Sequence, residues 1–449
     1  MSVGMNITNL LGTNKLFYIL ISAVIFIVFI TIIIIVGNIG GGSGEEKAIL
    51  EFWGVYDTRQ DFAKVLSSLQ QIEPGIKVNY QQLSYEDYEK ALIDALAAGT
   101  GPDIIMIHHT WLAKHLEKFA AMPEVSSRIE DYKFMTPADF QSQFVEVAYK
   151  DLVYGDKIYA LPLYVDTLAL FYNRDMFNTA GITRSPQNWE EFNEDIGLLT
   201  KFDSQGNIIQ AGAAIGTSRN INRSTDILSA LMIQNGTQMT NVANTAALFT
   251  RTVSGQRTGE NALQYYTDFA NPLKEVYTWN DQQHYSIDAF VEGKTAMMFN
   301  YSHQIPIVRK RFERLNFAVA PFPQFTELDA KNYANYWAVA VSAQSKSRDA
   351  AWRFLTYLTS KDGALVYLTE TSRPSARRDI IDIQRNDPQL GVFAVQALSA
   401  KSWLQIDTNA IDQIFADMID EVNLKRAAVR NALRAAETKI TTLMTRRPQ

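Results

Sequence analysis

Apolar and polar positions divide the chain into one continuous apolar run and a long remainder of short periods. The run is 16–36, LFYILISAVIFIVFITIIIIV, 21 residues with no charge and apolar on every face. At ~1.5 Å rise per residue it spans about 31 Å, the thickness of a bilayer's hydrocarbon core. It is longer than the h-region of a secretory signal and lacks a small-residue cleavage pattern, so it predicts an uncleaved transmembrane helix. Lys15 precedes it, whereas Glu45, Glu46 and Lys47 follow. The positive-inside tendency places 1–15 in the cytoplasm and the large remainder outside, a single-pass cell-membrane arrangement. Within 37–47, Gly40, Gly41, Gly42, Ser43 and Gly44 read as a flexible tether. They lack the Lys-Ser/Thr ending and the following apolar helix that a phosphate loop needs.

Beyond the tether the period alternates. Residues 48–53 read as a short strand, and 61–71 place Phe62, Val65, Leu66 and Leu69 on one helical face. Residues 77–83 form a second strand. Ser84 with Asp87 predicts a capping box, and Tyr85, Tyr88, Leu92 and Leu96 continue one helical side. The glycines at 99 and 101 with Pro102 stop that helix before a third strand at 104–107. Strand–helix–strand–helix–strand predicts a parallel sheet covered on both faces. A second αβ series occupies about 168–345, with strands at 169–172, 296–299, 317–319 and 337–341. Residues 349–358 form a strongly amphipathic helix, and 407–444 are mostly helical.

Composition narrows the class. The 449 residues are 47% hydrophobic and 20% charged, a globular balance. A formal charge of −6 argues against a nucleic-acid partner. The chain has no cysteine, which removes disulfides, thiolate metal sites and a lipidated cysteine. No G-x-S-x-G, H-E-x-x-H, Walker A or dinucleotide fingerprint in a strand–helix context is present, so no cofactor, metal or catalytic residue is expected. Glu190 and Glu191 are adjacent, but neighbours on a helix point ~100° apart, which suits a solvated face better than a glycosidase acid and base.

Several phrases stand out along the chain: AAGTGPDII at 97–105, GDKIYALP at 155–162 with Asp166-Thr167 and LFYNRDMF at 170–177, AGI at 180–182 with NWEEF at 188–192, FVEGKTAM at 290–297, and AAWRFLTYL at 350–358 with Arg373-Pro374. Together they resemble the extracellular solute-binding proteins of ABC-type carbohydrate importers, the maltodextrin-binding type. Each is short, but they follow the family's order from about 49 to 435. The resemblance implies an α/β, two-lobed periplasmic-binding-protein-like fold with hinge crossings, preceded here by one transmembrane helix. It places the crossings near 165–168, 316–321 and 342–346. Lobe one would be 48–165 plus 317–344, lobe two 168–315 plus 346–435, and 436–449 a C-terminal tail. It implies a small-molecule ligand, a mono- or oligosaccharide, captured by hinge closure, and ABC permease subunits as partners, with the membrane engaged through the N-terminal helix. Where the family's lipoproteins carry a lipidated cysteine, this chain has the apolar helix and tether instead. A surface sensor or adhesion ectodomain of the same fold, and a cell-surface carbohydrate-active enzyme, are the competing readings.

Sugar sites need flat apolar faces and fixed polar partners, and aromatics make up 11% of the chain. Ligands of open αβ sheets sit beyond the carboxyl ends of strands. That rule selects Trp53 and Tyr56 after the first strand, and His109, Thr110 and Trp111 after the third. Asp166 stands in an apolar stretch where a carboxylate needs a partner, at a position where the family offers a polar contact. Arg219 follows a small-residue strand, Tyr301 and Ser302 follow another, and Tyr336 and Trp337 precede a strand near a crossing. Arg373 and Trp403 complete the candidate set.

Overall fold

A computed structural model describes residues 47–445. The expected membrane span, the N-terminal segment before it and the tether up to residue 46 lie outside the described residues. Among the described residues no helix is long and apolar enough to cross a membrane.

The chain opens with β1 (Ala48–Gly54), α1 (Arg59–Ile72), β2 (Ile76–Gln82), α2 (Tyr85–Ala97) and β3 (Ile104–His108). The periodic positions Phe62, Val65 and Leu69 are the buried face of α1, and Tyr88, Leu92 and Leu96 that of α2. A capping box forms at α1, where the Thr58 N–H donates to Asp61 (2.6 Å). At α2 the expected box does not form: Ser84 turns its hydroxyl to Glu86 (2.5 Å). Gly99, at φ +71°, ends α2 in a conformation glycine adopts freely. Asp103 then accepts the Glu51 N–H (3.0 Å) and the Ser345 hydroxyl (2.6 Å), fixing the entry of β3.

After β4 (Phe119–Ala120), α3 (Glu146–Leu152) and β5 (Ala160–Pro162), the chain leaves this sheet through β6 (Asp166–Thr167). It then builds β7 (Ala169–Asn173), α4 (Trp189–Leu199), β8 (Lys201–Phe202), β9 (Ile208–Ala213), α5 (Ser224–Gln234), α6 (Thr258–Asp268), β10 (Thr295–Asn300) and β11 (Phe317–Ala320). It returns through β12 (Asn332–Asn335) to β13 (Trp337–Ser342), α7 (Arg348–Leu358) and α8 (Lys361–Thr371), and ends with β14 (Ala400–Lys401), α9 (Thr408–Asn423) and α10 (Val429–Thr445).

Among the described residues, three sheets organise the lobes, beside a two-stranded ribbon at 153–158. The first runs β2-β1-β3-β13-β4 with β5 on β13, the second β8-β9-β10-β7-β11, and a small third β14-β12-β6 lies at the crossings. β1 and β3 are parallel as expected, but β13 runs antiparallel to β3, pairing Trp337 with His108, so the first sheet is mixed.

Pairing also corrects the lobe boundaries. β11 lies antiparallel to β7, Val319 opposite Phe171, so 317–320 belong to the second sheet and not to lobe one. The second crossing is β12, where Asn335 pairs with Asp166 of the first. The segment after 346 does not enter lobe two either. α7 and α8 stay on the first sheet's side, packing against α1. Arg353 of α7 bridges Glu73, and Glu370 of α8 accepts Lys64 (2.6 Å). The chain crosses again only further on, and α9 and α10 complete the second lobe against α5 and α6. The expected boundary at 436 falls inside α10. The second core gathers Trp189, Phe192, Tyr266 and Phe299 with Phe415 and Leu433 of the terminal helices.

Candidate ligand-binding site

A cleft of about 710 Å³ opens between the lobes. Its first wall is aromatic and sits at the carboxyl ends of β1 and β3. Trp337, the first residue of β13, is the hub: its ring centroid lies 5.7 Å from Tyr56, 5.4 Å from Trp111 and 5.4 Å from His108, each edge-on. Tyr56 stacks on Tyr85, 5.4 Å apart and 24° from parallel. Both tyrosines are about half exposed, so flat faces remain open to the cleft. Tyr56 holds a left-handed backbone, φ +62°, uncommon outside glycine and frequent at ligand clamps.

The opposite wall is polar and is built at the start of α5. Arg223, also left-handed at φ +68°, occupies the N-cap, followed by Ser224, Thr225 and Asp226. The Arg223 guanidinium lies 5.3 Å over the Tyr301 ring, and the Tyr301 hydroxyl donates to Asp226 (2.8 Å). Burial raises the Asp226 carboxyl above its ordinary range, against the pull of Arg223. Asp412, on α9, faces the same space; burial in the cleft, with Asp226 nearby, pushes its carboxyl up to about 7. His303 lines the cleft and is held neutral, its pKa pushed down to about 3 by burial and by the arginines.

At the crossings, burial pushes Asp166 up to about 6, offset by its hydrogen bonds from Ser302 and Thr167. Asn335 accepts from His108 Nε2 (3.3 Å), which leaves His108 Nδ1 to accept the Thr110 hydroxyl (2.8 Å). Burial keeps His108 neutral too. Among the described residues no group of three or more metal-ligating side chains could hold an ion.

Of the residues expected at the site, Tyr56, His109, Trp111, Asp166, Arg219, Tyr301, Trp337 and Arg373 line the cleft. Asp166 and Tyr301 are engaged as described above, and three more also have partners. The His109 ring stacks on Tyr336 at 4.6 Å with Nδ1 on Asp151 (3.1 Å). Arg219 pairs with Asp417 (2.6 Å) and Asp420 (3.1 Å) on α9, and Arg373 with Asp57 (2.6 Å).

Five lie elsewhere. Trp53 is on β1 opposite Ile105. Thr110 is buried against His108 and Thr408. Ser302 turns its hydroxyl to Asp166, and the Tyr336 hydroxyl donates to Asp151 (2.9 Å). Trp403 packs on Phe249 and Phe415 in the second core, its indole N–H on Ser229 (3.2 Å). Sequence reasoning missed Tyr85, Arg223, Asp226, His303, Asn335 and Asp412. Tyr85 opens the helix after the second strand, and Arg223 lies only four residues past the arginine that was selected. Nothing near Asp412 in the sequence marks it.

A model of the bacterial extracellular solute-binding protein family matches residues 56–365. A putative binding protein of Brucella abortus (strain 2308) is 24% identical over 311 residues, covering 67% of this chain and 69% of that one. The maltotriose-binding protein of Pyrococcus abyssi is 25% identical over 293 residues, covering 64% and 56%. Among solved structures, the sugar-binding protein MalE from Xanthomonas citri superposes with a TM-score of 0.72 at 18% identity, covering 89% of this chain and 98% of that one. The cyclic α-maltosyl-1,6-maltose binding protein of Arthrobacter globiformis gives 0.72 at 18% identity, covering 89% and 99%. These structural likenesses show the two-lobed binding-protein fold.

Proposed function

The chain belongs to the bacterial extracellular solute-binding protein family, and from that premise we propose that it captures a carbohydrate by hinge closure and delivers it to an ABC-type importer. One observation carries the reading. The half-exposed Tyr56–Tyr85 stack, braced by Trp337, faces Arg223, Asp226 and Asp412 across a cleft between two lobes. Flat aromatic faces suit the apolar side of a pyranose ring, and a guanidinium between carboxylates suits vicinal hydroxyls. The names of the Pyrococcus, Xanthomonas and Arthrobacter relatives support the same solute class. We read the chain as a binder without turnover. We also read the apolar run at 16–36 as its membrane anchor, which keeps the lobes beside the permease without a lipidated cysteine.

The test is a thermal-shift panel of mono- and oligosaccharides on the full chain in detergent. A ligand at 100 times its Kd stabilises the folded state by about 2.7 kcal/mol, enough to raise the midpoint by a few degrees. The sugar is recovered chemically unchanged. If no sugar moves the midpoint, the carbohydrate assignment fails.

A further inference from the structure

We propose that the cleft selects by charge, rejecting acidic solutes and preferring a carbohydrate that carries a protonated amine seated against Asp412 and Asp226. This rests on the carbohydrate reading and narrows it. Among the described residues, six carboxylates line the cleft against four cations. Most of the positive charge is already spoken for. Lys114 pairs with Glu89 (2.7 Å), Arg373 with Asp57 (2.6 Å), and Arg219 with Asp417 and Asp420, and these last three aspartates lie outside the lining. Among the described residues, Arg223 is the lining cation with no carboxylate within 4 Å. Two aspartates act on it electrostatically, so that group of three carries a net negative charge when both are ionised.

Three histidines also line the cleft, and His109 is paired with Asp151 (3.1 Å), outside the lining. Burial holds His108 and His303 uncharged at neutral pH. A phosphate or uronate entering the cleft would therefore meet an excess of carboxylate in a partly desolvated space, where like charges repel more strongly than in bulk water.

Asp412 shows where a positive group would sit. Its carboxylate opens to the cleft, takes a hydrogen bond from Thr225 and has no cation within 4 Å among the described residues. Asp226 beside it uses its Oδ2 to accept the Tyr301 hydroxyl (2.8 Å). Desolvation in the cleft, and then the neighbouring Asp226 charge, disfavour ionisation of Asp412 and push it up to about 7. An ammonium placed there relieves both at once. A neutral hydroxyl can bond them but leaves the charge uncompensated.

The test titrates the full chain in detergent at pH 6.5 with maltose and cellobiose, each compared with its 2-amino and its uronic acid counterpart. The amino form is expected to bind roughly tenfold tighter than the neutral sugar, and the uronate roughly tenfold weaker. Asp412→Asn should reduce the amino-over-neutral ratio by about tenfold, read as a ratio so that general weakening does not imitate it. Raising sodium chloride from 50 to 500 mM should shrink the same ratio in the unmodified protein. If neutral and charged forms bind alike, or Asp412→Asn leaves the ratio intact, the charge inference is overturned and the carbohydrate reading stands. If no sugar of any charge binds, both fall.

Discussion

The carboxylate of Asp166 accepts both the backbone N–H (2.9 Å) and the hydroxyl (2.6 Å) of Ser302, tying the first crossing strand to the end of β10 in the second lobe. Asp166 also accepts the Thr167 N–H (2.9 Å), and it is almost fully buried. Asp166→Ala leaves these donors without partners in a dry setting, which costs about 1–3 kcal/mol. The sequence marks Asp166 only as a candidate ligand contact. The geometry predicts instead that urea unfolding shows a lower midpoint in the absence of any sugar. An unchanged midpoint would remove the hinge role.

Arg373 and Asp57 form a second tie, this one inside lobe one. Asp57 is buried, accepts Arg373 Nη2 (2.6 Å) and also accepts the Tyr367 hydroxyl (2.6 Å), while the guanidinium lies 4.5 Å over the Tyr164 ring. Removing one member of such a pair strands the other charge. Arg373→Ala should therefore destabilise the fold by about 3–5 kcal/mol, and Asp57→Asn in the same chain should recover part of that loss. A double-mutant cycle measured by urea unfolding gives the coupling; strictly additive losses would contradict it.

Tyr56 separates binding from stability. Its left-handed backbone costs a residue with a Cβ about 1–2 kcal/mol that glycine does not lose. Tyr56→Gly should thus be more stable than Tyr56→Ala by about 1 kcal/mol, although both lack the ring stacked on Tyr85. Both should bind a sugar that shifts the unmodified protein at least tenfold more weakly. Calorimetric midpoints for the pair, with titrations of the same sugar, check the two halves independently.

What the sequence made legible was local. The periods of α1, α2 and α7 appear where Phe62, Leu92 and Phe354 face a sheet, because a helix with one apolar stripe has a single way to bury it. Asp166 stood out for a similar reason, a carboxylate in an apolar stretch, and it lies at the first crossing. Lobe membership was not legible beyond that crossing. β11 belongs to the lobe where Val319 meets Phe171, and α7 to the lobe where Arg353 meets Glu73; both partners are far away in the sequence. Aromatic residues were ambiguous in the same way. Trp337 edges the cleft while Trp403 packs in the second core, and nothing in their flanking residues distinguishes an open ring from a covered one. Asp412 enters the cleft from a terminal helix whose own pattern only describes how it packs on α5, α6 and α10.

The ionisable groups with shifted protonation oppose one another, which gives a pH prediction with a definite sign. Asp166 and Asp195 are each pushed up to about 6 and Asp412 to about 7, so the fold favours their protonated forms. Their contribution to stability is complete below the ordinary aspartate value and is lost as pH rises through 6 to 7. His108 and His303 are lowered, His303 to about 3, so the fold favours their neutral forms. Their contribution is complete above about 6.5 and is lost as pH falls. Between pH 4.5 and 6.5 the two histidines offset most of the three aspartates' effect, and only a gentle fall in stability with rising pH is expected. Below that range, Glu89 and Glu146, each lowered to about 2 by hydrogen bonds from His115 and from Lys150 respectively, lose their contribution as they are protonated, and stability falls. His303→Gln removes one opposing member without adding a charge. Relative to the unmodified chain, the variant should gain on the order of 1 kcal/mol for each pH unit descended from 6.5 to 4.5, since one proton of differential binding is worth about 1.4 kcal/mol per unit. Urea midpoints of the two proteins across that range decide it: diverging curves support a neutral His303 in the cleft, and parallel curves contradict it.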